Sequence, residues 1–101
     1  MASRLNLQNK LEELLGNENV YYQPPETLKL SYPAIVYSKK DIKTEHADDS
    51  TYLLNKQYEI IVIDKRPDNM VIEKLLNLQT CSYDRAYMAD NLYHDVLTLY
   101  Y

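Results

Sequence analysis

Every aromatic ring in this chain carries a hydroxyl: its eleven tyrosines are joined by no phenylalanine and no tryptophan. A buried phenol must find a hydrogen-bond partner, so such rings favour the margin of a core or a subunit contact, apolar on one side and wet on the other. Tyrosine is also enriched in the cores of interfaces. For any single ring there is a plainer reading, that a small sheet uses tyrosine for its strand propensity.

With 101 residues, 46% hydrophobic and 26% charged, the chain fits one domain over 1–101 with a single core, outside the disordered compositions. The formal charge is −4 and neither end carries a basic run. That argues against a domain whose main work is gripping phosphate, although not against a wall past which DNA slides. The segment MASRLNLQNKLEELLG is interrupted by Arg4, Asn6, Gln8 and Lys10, so neither a signal peptide nor a membrane span is expected. The expectation is a soluble protein made in the cytoplasm, with no membrane partner. Cys81 is the only cysteine. It permits no internal disulfide and no multi-thiolate zinc site, and nothing nearby would activate it, so it reads as a half-buried strand residue.

Leu7, Leu11, Leu14 and Leu15 share one stripe of a helix predicted over about residues 3 to 15. Ser3 suits its N-cap, and Gly16, the only glycine, stands where a helix takes a left-handed residue. A short strand, VYYQ at 20–23, is broken by Pro24 and Pro25, and a second begins at Pro33 with Ala34, Ile35, Val36 and Tyr37. Lys39 to Thr51, KKDIKTEHADDST, lacks a period and reads as a long exposed loop or hairpin tip, a length that in a small domain suggests function. It is expected to order on assembly or to project into a channel.

Residues 52–64 give the longest strand signal, with Tyr52, Leu54, Tyr58, Ile60 and Val62 on one face and Ile61 and Ile63 on the other. Both faces are apolar at its end, so a helix of the chain or a neighbouring subunit is expected to cover the second. Asp68 is the expected N-cap of a second helix over roughly 69 to 78, buried through Val71, Ile72, Leu75, Leu76 and Leu78. Two more strands follow around a turn at Ala89, Asp90 and Asn91, with Tyr83, Arg85 and Tyr87 on one side of the first. The fold class predicted is α+β, a mostly antiparallel sheet of about four to five strands with two helices, in the order α-β-β-β-α-β-β.

Constellations with chemistry are sparse. His46, Asp48 and Asp49 could in principle ligate a divalent metal, but no second histidine or glycine-supported calcium loop accompanies them, and a solvated loop is expected. His94 and Asp95 are adjacent on a strand and point to opposite faces. One glycine excludes the P-loop and the Rossmann fingerprint. Lys39, Lys40 and Lys43 make the densest basic patch, largely cancelled by Asp41 and Glu45. No catalytic residue, cofactor or metal is expected.

The stretches VYYQPP at 20–25, YPAIVYS at 32–38, YEIIVIDKRPD at 58–68 and the closing YDRAYMADNLYHDVLTLYY resemble a family of small head–tail joining proteins. These are the tail-terminator, tail-completion and minor capsid proteins of siphovirus-type phages and prophages of Gram-positive bacteria. The similarity spans nearly the whole chain and keeps the order of segments. It implies an α+β subunit of a ring, commonly a hexamer, which caps the tail tube and docks to the head connector. The partners implied are further copies of the chain, the tail-tube protein and a head-completion or connector protein, with DNA passing through the lumen unbound. The place implied is the head–tail junction of the virion. Interface candidates on this reading are Lys39, Lys40, Asp41, Lys43, His46, Asp48, Asp49, Ile61, Ile63, Tyr83, Tyr87, Tyr100 and Tyr101. One alternative is a head-completion, stopper or minor capsid protein on the portal side. Another is a small metal-dependent hydrolase or nuclease using His46, Asp48 and Asp49.

Overall fold

The computed structural model describes residues 4–47, 50–78 and 80–101, with side chains described outside 41–47 and 50–55. The chain is an α+β protein: helix α1 (Arg4–Leu15), strands β1 (Val20–Tyr22), β2 (Ala34–Ala47) and β3 (Ser50–Asp64), helix α2 (Met70–Leu76), and strands β4 (Cys81–Ala89) and β5 (Leu92–Tyr100). One sheet holds all five strands in the order β1-β2-β3-β5-β4. β1 runs parallel to β2, and every other pairing is antiparallel. The predicted element order stands as read.

Both helices feed one core. Leu7 and Leu11 of α1 and Val71 and Leu75 of α2 pack with Val20, Ile35, Tyr37, Tyr58, Ile60, Val62, Leu97 and Leu99 of the sheet. Burying a leucine fully is worth about 1.5–3 kcal/mol, so these stripes, and not the helices' own stability, hold them in place; α2 has only seven residues. Leu76, expected in the stripe of α2, is 40% exposed instead. Gly16 ends α1 with φ +85° and donates its N–H to the Glu12 carbonyl at 2.9 Å.

The N-cap of α2 is Asn69, one residue beyond the expected Asp68. Asn69 Oδ1 accepts from the Val71 N–H at 2.8 Å, while its amide Nδ2 donates to Asp64 Oδ2 at 2.6 Å. Asp68 has a positive φ of 60° and forms the turn that delivers Asn69 to the cap.

Two further corrections concern the strands. The segment expected as a long exposed loop or hairpin tip belongs to a hairpin whose strands reach further than a loop would allow: β2 continues to Ala47 and β3 begins at Ser50, paired from Asp41↔Gln57 to Ala47↔Ser50, and residues 48–49 lie outside the described residues. Cross-strand pairing overrode a polar sequence without alternation, and register shifts at Lys39/Asp41 and Lys43/Thr44 explain the missing period. β1 accompanies β2 only to Tyr37, and β5 accompanies β3 only from Gln57. Beyond those points β2 and β3 run on as a two-stranded ribbon, matching the elongated extents of 52 × 30 × 23 Å.

In β4 a register shift between Tyr83 and Arg85 moves the strand's later residues to the other face. Tyr83 lies opposite Leu97, on the helix side, whereas Arg85 and Tyr87 lie opposite Val96 and His94, on the far side. The three do not share one side as the alternation suggested. The β4–β5 turn has Asp90 and Asn91 at φ 52° and 62°, the two-residue type that matches strand twist.

Candidate interaction surfaces

The sheet ends unevenly. Its first edge, β1, is three residues long, whereas β4 at the other edge has nine, exposed from Ser82 to Ala89. An outer strand carries a row of backbone N–H and C=O groups without sheet partners, which makes it a template for another strand. Tyr83, Tyr87 and Met88 on this edge are 45%, 41% and 57% exposed.

Each tyrosine of β4 is held from its own face. Tyr83 donates its hydroxyl to Asp95 Oδ1 at 2.7 Å, and that bond, with lesser help from burial and the carboxylate charge, raises the phenol above its ordinary pKa. Tyr87 stacks on His94 with centroids 4.7 Å apart and planes at 15°. His94 Nδ1 lies 3.0 Å from the Leu92 carbonyl oxygen, which places the proton on Nδ1. The separation of His94 and Asp95 onto opposite faces is as expected. A groove of about 400 Å³ runs along this edge between Asp68, Tyr83, Tyr87, Met88 and Tyr93. A second, of about 300 Å³, continues it to Asn69, Ile72 and Glu73 at the start of α2.

The opposite end of the molecule holds the tyrosines that solve the hydroxyl problem inside the chain. Tyr37 is fully buried; its hydroxyl donates to Gln8 Oε1 at 2.5 Å and accepts from the Arg4 guanidinium at 3.4 Å. The Arg4 guanidinium also lies 4.4 Å over the Tyr22 ring. Desolvation raises the pKa of Tyr37 and of Tyr58 above the ordinary value. α1 therefore docks through Arg4 and Gln8 as well as through leucines.

Among the described residues no helix covers the sheet face away from the core, although a helix is one of the two covers expected, yet this face is already partly closed. Val96 and Ala34 are fully buried and Ile63 is 7% exposed, while Val36 and Ile61 are half-buried. Both helices lie on the other face. Beside β1, the Ser31 N–H donates to the Tyr21 hydroxyl at 3.5 Å.

The interface candidates thus divide. Tyr83 and Tyr87 are on the open edge, and Lys39 and Lys40 stand exposed at the base of the ribbon, with Lys40 Nζ 3.4 Å from Glu59. Ile63, Tyr100 and Tyr101 are engaged within the chain: Tyr101 packs against the core and its N–H donates to the Lys56 carbonyl at 2.9 Å, and Tyr100 is half-buried. Asp41, Lys43 and His46 take strand positions opposite Gln57, Asn55 and Thr51. Their side chains, and Asp48 and Asp49 altogether, lie outside the described residues, and with them the metal reading of His46, Asp48 and Asp49. Met88 was not singled out from the sequence. Its signal was legible all the same: β5 is apolar on both faces through Val96, Leu97 and Leu99, as a central strand is, which leaves β4 outermost.

Among the described residues no polar or charged side chain is buried, and no three His, Cys, Asp or Glu residues converge to hold a metal. Cys81 is half-buried and burial pushes its thiol pKa up, away from the thiolate a nucleophile needs. Among those residues, too, no helix is long and apolar enough to cross a membrane. No protein-family model matches the sequence. No curated protein matches it either.

Proposed function

We propose that this chain is a structural subunit of a phage head–tail junction, one wedge of a ring that terminates the tail tube and docks to the head connector. The observation that carries the reading is the unfinished sheet. It ends on the exposed nine-residue β4 and extends a two-stranded ribbon past its other strands. A ring is built from heterologous contacts, in which one patch on each subunit meets a different patch on the next. An open edge and a projecting ribbon are two such different patches. The resemblance of the 20–25, 32–38, 58–68 and 83–101 segments to tail-terminator proteins supports the station at the end of the tail.

On this reading the protein works by geometry and not by catalysis. Subunits close into a ring, the ring stops tube polymerisation, and the lumen passes DNA. The net charge of −4 favours release over retention of phosphate. The partners are other copies of the chain, the tail-tube protein and the head connector.

The test is deletion of the coding sequence in a phage or prophage that carries it, with particles viewed by negative-stain electron microscopy. Unattached heads and tails of uncontrolled length are expected. Normal tails joined to full heads would refute the reading.

A further inference from the structure

We infer that β4 of one copy is completed by the free edge of the β3 ribbon, residues 50–55, from the next copy. This rests on the ring reading above and gives it an atomic contact. Three observations carry it.

The first is that, among the described strand pairings, no third strand joins the ribbon. Two strands alone are marginal in water, yet among the described strand pairings β2 and β3 continue together past the ends of β1 and β5. The second is the composition of its two edges. The β2 edge carries Lys39, Lys40 and Lys43, and lysines on an outer strand oppose pairing. The β3 edge reads Ser50, Thr51, Tyr52, Leu53, Leu54 and Asn55. That run has no charge, no proline and no glycine, the composition of a segment that adds to another sheet. The third is the acceptor. β4 offers an edge exposed from Ser82 to Ala89, with Tyr83, Tyr87 and Met88 as its large exposed side chains.

The donor and acceptor of one chain do not meet within that chain. β5 stands between β3 and β4, and the 50–55 stretch runs beyond the end of β5. Each copy therefore brings one donor edge and one acceptor edge, which is the stoichiometry of head-to-tail closure. Main-chain hydrogen bonds would supply the affinity of such strand addition.

Hydrogen exchange read by mass spectrometry on the full chain, from dilute monomer to concentrated oligomer, tests this. Peptides covering 50–56 and 81–89 should slow together on assembly, by about tenfold or more. Short bis-maleimide cross-linking identifies the pairing. In a Cys81→Ser background, one sample carries Tyr52→Cys and another Tyr87→Cys. Cross-links that form only on mixing the two are expected. Protection of 81–89 without 50–56, or cross-links within the Tyr87→Cys sample alone, would overturn the proposal in favour of β4 pairing with itself. An oligomer in which both segments exchange as fast as in the monomer would overturn the strand contact and leave the ring standing. A chain monomeric at every concentration would overturn both.

Discussion

Removing one oxygen atom from the core tests how an all-tyrosine protein satisfies its hydroxyls. In Tyr37→Phe the ring stays in place against Tyr22 and Tyr58, whose centroids lie 4.9 and 6.0 Å away, so almost no apolar burial is lost. What is lost is the hydrogen bond to Gln8 Oε1 at 2.5 Å, together with the longer one from Arg4 at 3.4 Å. A hydrogen bond of this kind contributes about 1 kcal/mol net, and an acceptor left dry raises the cost to about 2–3 kcal/mol. Gln8 is half-buried and keeps its bond from Nε2 to the Val20 carbonyl at 2.9 Å. Water can therefore reach the orphaned oxygen, and the lower figure applies: about 1–1.5 kcal/mol, or about 4–10 °C in Tm for a domain this size. Urea unfolding followed by tyrosine fluorescence measures it, and a cycle with Gln8→Leu should give a coupling of about 1 kcal/mol. A neutral or stabilised Tyr37→Phe, or a coupling of zero, would refute the reasoning.

Alkaline pH acts on the same rings. Burial raises the pKa of Tyr37 and Tyr58 above the ordinary 10.0 in the folded state, so their contribution is complete below about pH 10 and is lost as pH rises above it. With no tryptophan in the chain, phenolate absorbance reports tyrosine alone, and a late phase that coincides with loss of far-ultraviolet dichroism is expected; simple titration of all rings together with the fold intact would contradict it. Leu11→Ala, at a fully buried position where α1 meets the sheet, should cost about 2–5 kcal/mol in the same denaturation assay. Asn91→Gly relieves a side chain at φ 62° in the β4–β5 turn and should stabilise by about 0.5 kcal/mol, seen as a higher urea midpoint with an unchanged slope.

Much of this architecture was legible in the residues. The leucine stripe of α1 and its glycine stop, the buried run around Ile60 and Val62, and the hairpin at Asp90 and Asn91 rest on local rules that the fold obeys. The misread parts depended on partners that a linear sequence does not display. Lys39 to Thr51 looks like a loop because its residues are polar and do not alternate. Residues 39–47 and 50–51 are extended because each strand of the ribbon pairs with the other. Tyr83, Arg85 and Tyr87 alternate in sequence, but the register shift within β4 places them on two faces. The cap moved from Asp68 to Asn69 because the Asp64 carboxylate anchors the Asn69 amide. The open edge itself follows from strand order, set by the contest between a β5 apolar on both faces and a polar β4.

On the ring reading proposed above, one copy of this chain leaves its sheet unfinished and further copies complete it. Light scattering coupled to size exclusion, run from dilute to concentrated protein, tests it most directly. The expected result is a discrete species of about six chains that replaces the monomer as concentration rises and then grows no further, as a closed ring must. A single 11.9 kDa species at every concentration, or aggregates that grow without limit, would contradict the account.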